Sequence, residues 1–143
     1  MKHEIRQPDG TATVRLTPGR AIRFYCLECQ GWEAGEVHEC GGDELLSGDS
    51  CGFYRYRLGK GRPSVKTIRR ECLSCMGAVP GRTRNPIASR MVADCRSILC
   101  PVWPYREGSN PKMKGRPITA AGMAQKRHAV GAPRLQEALE LKI

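Results

Sequence analysis

The sequence predicts a small α+β fold, mostly short helices, built as tandem four-cysteine zinc-nucleated modules of the zinc-finger kind with a helical C-terminal tail. Three observations predict it. All eight cysteines fall at equivalent places in two copies of one unit, four per copy. Ile, Leu, Val and Phe make only 26 of the 143 residues while the formal charge is +10, a composition that rarely buries enough apolar surface to fold unaided. Capping signals also open a short helix ahead of each C-x2-C pair.

The duplication is read residue by residue. Ile22-Arg23 matches Ile68-Arg69, and Cys26/Cys29 matches Cys72/Cys75. Val37 and Cys40 match Val92 and Cys95. Cys51, Tyr54, Tyr56, Arg57 and Gly59 then match Cys100, Trp103, Tyr105, Arg106 and Gly108 at identical spacing. The expected division is an N-terminal arm over 1–16, a first module over 17–63, a second over 64–111, and a basic linker with a helical tail over 112–143.

A C-x2-C pair is the spacing at which a tight turn aims two thiolates at one metal, and four thiolates close a tetrahedral structural site. The sequence therefore predicts two zinc ions, one held by Cys26, Cys29, Cys40 and Cys51, the other by Cys72, Cys75, Cys95 and Cys100. The loops between ligands differ in length between copies while the cysteines persist. His38, two residues before Cys40, is an alternative ligand, although Ala93 stands at its place in the second copy. Disulfides are the competing reading. The start MKHEIRQPDG lacks a secretory n-region and apolar h-region, which favours a reduced cytoplasmic setting and metal over oxidation. A thioredoxin-like redox role lacks the surrounding βαβ pattern. Structural zinc in small peptides supplies on the order of 10 kcal/mol per site, so zinc is expected to supply most of the folding energy.

In chain order, Thr11 to Leu16 alternates and reads as a short strand or ordered arm. Thr17-Pro18 reads as N-cap and first residue of a helix through about Tyr25 that delivers Cys26. Ser64 caps a helix through about Glu71 that delivers Cys72. Asn85-Pro86 opens another running up to Cys95, with Ile87, Met91 and Val92 on one face, and Glu36-Val37 is its shorter analogue. The segment after the last cysteine of each unit reads as extended in the second copy, through Pro101 and Pro104. Beyond Gly108, SNPKMKGRP reads as a linker. Thr119 caps a helix ended by Gly131, and Pro133 opens a last one whose Leu135, Ala138 and Leu139 form an apolar stripe.

Charge separates the copies. Between Glu28 and Asp49 stand seven carboxylates and no Lys or Arg, whereas residues 64–143 hold fifteen basic and five acidic residues. Basic clusters beside zinc units commonly hold phosphate backbones. The predicted nucleic-acid contacts, to DNA above RNA, are Arg69, Arg70, Arg82, Arg84, Arg90, Arg106, Lys114 and Arg116. The acidic stretch 28–49 is the candidate surface for a protein partner instead. Gly-Arg-Pro occurs at 61–63 and 115–117 and resembles the core of the AT-hook, which lies in the narrow minor groove of A·T-rich DNA; a plain linker turn is the favoured reading. The Tyr-Arg segments could stack on unpaired bases, but their fixed offset from the last cysteine favours packing over each metal site.

Enzymatic patterns are missing. There is no HExxH, no paired histidines of the HNH kind, no phosphate-binding Gly-rich loop and no Ser-His-Asp candidate. No apolar run approaches membrane-spanning length, and no small-molecule substrate is suggested.

The unit IRxxCLxC…VxxC…CPxxPYRxGxNP resembles small zinc-binding proteins encoded by bacteriophages and prophages. The second copy carries it through Ile68, Arg69, Cys72, Leu73, Cys75, Val92, Cys95, Cys100, Pro101, Pro104, Tyr105, Arg106, Gly108, Asn110 and Pro111. The first copy lacks the prolines, at Gly52 and Arg55. This resemblance implies a zinc protein of the bacterial or infected-host cytoplasm. The function expected is a non-enzymatic accessory or regulatory factor contacting nucleic acid, with a protein-interaction adaptor as the rival.

Overall fold

The computed structural model describes residues 1–42, 50–78 and 85–114. They form a small α+β fold of short helices and one two-stranded sheet. The helices expected after Thr119 and Pro133, and the contacts expected from Arg82, Arg84 and Arg116, lie outside the described residues.

The arm is a hairpin. Strands β1 (Lys2–Gln7) and β2 (Gly10–Arg15) pair antiparallel from Lys2↔Arg15 to Gln7↔Gly10 across a Pro8-Asp9 turn. The alternation expected of β2 is observed. Strand β1 escaped notice because Ile5 is its one apolar residue, yet Ile5 is fully buried. Met1 and Leu16 close the hairpin's open end, Leu16 N–H donating to the Met1 carbonyl at 2.7 Å.

Helices α1 (Pro18–Cys29) and α3 (Val65–Cys75) start where the caps put them. The Thr17 hydroxyl accepts from Arg20 N–H at 3.3 Å, and the Ser64 hydroxyl accepts from Lys66 N–H at 3.2 Å. Both run one turn past the ends expected at Tyr25 and Glu71. Each C-x2-C pair therefore sits on the helix's last turn, not on a knuckle beyond it. The stop signal is the glycine after the pair. Gly31 (φ 61°) and Gly77 (φ 77°) adopt the left-handed conformation that ends a helix cheaply. Trp32 N–H then returns to the Leu27 carbonyl at 2.6 Å, and Ala78 N–H to that of Leu73 at 2.9 Å. These are equivalent bonds in the two copies.

Helices α2 (Ala34–Glu39) and α4 (Pro86–Ala93) bury Val37 and Val92. The Asn85 side chain caps α4, accepting from Ala88 N–H at 2.9 Å. The face of α4 differs from the sequence reading. Ala88 and Val92, four apart, face the core, while Ile87 is 73% and Met91 47% exposed.

After Cys51 and Cys100 the chain makes matching 3₁₀ turns, Tyr54–Tyr56 and Trp103–Tyr105, which corrects the extended reading. Pro104 fits because the first turn needs no N–H from it and its fixed φ suits a 3₁₀ turn. Each turn ends in a left-handed glycine, Gly59 (φ 75°) and Gly108 (φ 74°).

The core joins both copies. Leu16, Ala21, Ile22 and Phe53 pack in one cluster with Ile68, Val102 and Tyr105, and the Tyr105 hydroxyl donates to the Leu16 carbonyl at 3.3 Å.

The two terminal glycines give a paired prediction. A Cβ on Gly59 would meet nothing nearer than Arg23 Cβ at 3.8 Å, whereas one on Gly108 would lie 2.9 Å from Arg69 Cδ and 3.3 Å from its Cβ. Gly59→Ala should cost about 1 kcal/mol through φ alone, and Gly108→Ala about 2 kcal/mol because a close contact is added. Urea midpoints of the two variants check the order.

Candidate metal centres

Three elements carry each cysteine set. In the first copy, Cys26 and Cys29 lie on the last turn of α1, Cys40 follows α2, and Cys51 precedes the 3₁₀ turn. Gly42 is wedged between the latter two: a Cβ there would lie 3.3 Å from Cys40 Sγ and 3.2 Å from Cys51 Cβ. In the second copy Cys72, Cys75, Cys95 and Cys100 line one cavity of about 480 Å³. Cys29 of the first set lines it too, with Tyr25, Glu71 and Arg6.

All eight thiols are free. Burial, then charge from Cys51, Cys29 and Cys40, pushes the Cys26 thiol up to about 12. Burial, then charge from Cys100, Cys75 and Cys95, does the same to Cys72, also to about 12. The first cysteine of each set thus senses its three companions. Burial also raises Cys51, and raises Cys100 to about 11. Opposing this, backbone hydrogen bonding from Phe53 and Tyr54 lowers Cys51, and that from Val102 and Trp103 lowers Cys100. Donors aimed at sulfur favour the thiolate.

Among the described residues, no group of three or more His, Cys, Asp or Glu side chains is arranged so that it could hold a metal ion. The donor chemistry nonetheless fits one. Each set is four thiols, and the charge these thiolates would require is positive. His38 is exposed, and the charges that Cys26 senses come from Cys51, Cys29, Cys40 and Arg23.

Each set is closed by an arginine. Arg57 donates from Nε to the Val37 carbonyl at 3.1 Å and from its terminal nitrogens to Tyr54 at 3.0 Å and His38 at 3.3 Å. Arg106 makes the equivalent bonds to Val92 at 3.1 Å, Trp103 at 3.3 Å and Ala93 at 3.3 Å. The guanidinium carbons lie 3.8 Å and 3.9 Å over the rings of Tyr54 and Trp103. Trp103 also donates its indole N–H to the Cys95 carbonyl at 2.8 Å. The aromatic residues therefore pack.

Of the predicted nucleic-acid contacts, Arg70 and Arg90 are exposed. Arg69 is half-buried and donates to the Ser89 hydroxyl at 3.3 Å. Lys114 pairs with Glu107 at 2.9 Å, and Arg106 is committed to carbonyls. Lys66, one helical turn before Arg70, and Arg96 are exposed as well. In the first Gly-Arg-Pro, Gly61 (φ 84°) and Arg62 are exposed and Pro63 is half-buried, and a Cβ added at Gly61 would lie 3.4 Å from the Tyr56 ring. The second begins beyond Lys114, outside the described residues. Glu33, Glu36 and Glu39 are exposed at α2, whereas Glu28 is half-buried and pairs with Arg6 at 3.6 Å.

Sequence reasoning missed the hairpin's part in the second set. The His3 ring stacks near Trp103, with centroids 6.1 Å apart, and its Nε2 lies 3.3 Å from the Cys100 carbonyl. A single histidine in a strand with one apolar residue gave no signal. No helix among the described residues is long and apolar enough to cross a membrane.

No family model and no solved structure matches the chain. It is 27% identical over 92 residues to a rat protein named protein disulfide isomerase Creld1, a match covering 54% of this chain and 21% of that relative's length.

Proposed function

We propose that the chain is a non-enzymatic protein with two structural zinc sites, Cys26/Cys29/Cys40/Cys51 and Cys72/Cys75/Cys95/Cys100, serving as a nucleic-acid-binding accessory or regulatory factor of phage or prophage origin. The observation that carries the metal reading is the convergence of Cys72, Cys75, Cys95 and Cys100 on one cavity. Zinc would hold these thiols as thiolates and fix α3, the end of α4 and the 3₁₀ turn against one another. The relative's name raises thiol–disulfide exchange. That chemistry needs an attacking thiolate near neutral pH, and the first thiol of each C-x2-C pair is displaced the other way.

The exposed Arg70, Arg90 and Arg96 support the nucleic-acid role, since no carboxylate pairs with them among the described residues. Their joint replacement, Arg70→Glu, Arg90→Glu and Arg96→Glu, should abolish binding to duplex DNA in a fluorescence-anisotropy titration of zinc-loaded protein. In wild type the affinity should fall steeply with salt, with a log–log slope near −0.9 per phosphate contacted. Unchanged binding by the triple variant would remove this surface from consideration. A second reading, an adaptor for a basic partner, is favoured by the exposed Glu33, Glu36 and Glu39; function retained in the arginine variant and lost on reversing these three to Lys would support it over the first.

A further inference from the structure

The two cysteine sets reach into each other. Glu71, the residue before Cys72, accepts the N–H of Gly52, the residue after Cys51, at 3.0 Å. The fit is close, because any Cβ on Gly52 would run into the Glu71 carboxylate. Tyr25 is the residue before Cys26, at the place equivalent to Glu71, and it lines the cavity of the second set beside Cys29. Its ring meets Phe53 edge-on at 5.2 Å, and Phe53 lines that same cavity. The loop that presents Cys51 is thus held by the helix that presents Cys72 and Cys75. The helix that presents Cys26 and Cys29 in turn forms a wall of the other set. Pro101 occupies the place of Gly52 in the second copy and has no N–H to give, so the hydrogen-bonded link is one-sided.

From this reciprocity, and resting on the zinc reading above, we propose that the two metal sites bind zinc cooperatively, with Glu71 as the positioning residue that transmits order from the second site to the first. Filling the second site fixes the end of α3. The Glu71 carboxylate then stands where it holds Gly52 N–H, and Cys51 is presented to the first site already ordered. The ordering cost of the first site is met in part by the second ion, which is positive coupling between sites.

Native mass spectrometry of the full chain, titrated with zinc from the metal-free reduced state, reads the populations with zero, one and two ions directly. Cooperative binding leaves the one-zinc species well below the half of all molecules that independent equal sites give at one equivalent. Glu71→Ala should raise that species at least threefold while two ions still bind at saturation. Glu71→Gln keeps a carbonyl oxygen for Gly52 N–H and should restore the wild-type distribution. A wild-type one-zinc species at or above half, or equal behaviour of the Ala and Gln variants, overturns the coupling and leaves two-site binding intact. Fewer than two ions at saturation overturns the zinc reading itself.

Discussion

Chelating zinc from the reduced protein should unfold it, with loss of the helical far-UV circular dichroism signal and recovery on zinc return. The argument is one of magnitudes. Eleven hydrophobic side chains, two of them alanines, and the prolines Pro101 and Pro104 are buried among the described residues, a core too slight to offset chain entropy of about 1–2 kcal/mol per residue. Two closed thiolate sites would contribute on the order of 10 kcal/mol each at neutral pH. Cys72→Ser should be nearly as damaging as chelation at its own site, because it would take one ligand from a set of four and leave the set around the cavity incomplete. The measurement is a chelator titration followed by circular dichroism, with a thiol-free reductant present throughout. An unchanged spectrum at excess chelator would mean that the apolar core suffices and zinc is not the organising element. Unfolding by reductant alone, before chelator is added, would point to disulfides.

What the sequence disclosed was local. Thr17, Ser64 and Asn85 were legible as caps because a cap is decided within three residues. The recurrence of the cysteines, four to a copy, was legible because a duplicated spacing needs no tertiary information. Gly31 and Gly77 carried the true helix ends and could have been read as such, since a glycine following a periodic segment is a stop signal. Other features depend on where distant segments meet. Ile5 is buried only because the hairpin folds onto the second copy, where Arg6 N–H reaches the Leu99 carbonyl at 3.4 Å. The bond from Gly52 to Glu71 depends on how the copies pack, and no spacing within either copy encodes that. The packing of the recurrent aromatic residues was legible, but the purpose of Arg57 and Arg106 was not, because their acceptors include carbonyls at the end of a different helix.

That purpose gives the other large effect, at Arg106. The last carbonyls of a helix lack partners within it, and those of Val92 and Ala93 near the end of α4 receive Arg106, whose plane also lies over Trp103. A planar fork can serve three acceptors and a ring face together, which an ammonium cannot. Arg106→Lys keeps the charge and should still cost about 2–3 kcal/mol, the scale of charge-assisted hydrogen bonds lost from half-buried acceptors. Arg57→Lys should cost a similar amount, since its bonds to Val37, His38 and Tyr54 are the same set in the first copy. Because Arg106 was expected to touch nucleic acid, the pair of readouts is decisive. A lowered urea midpoint with an unchanged salt dependence of DNA affinity identifies a latch that holds α4 and the 3₁₀ turn around Cys95 and Cys100. An unchanged midpoint with weakened binding would return Arg106 to the phosphate-contacting surface, and the carbonyl bonds would then count for little in solution.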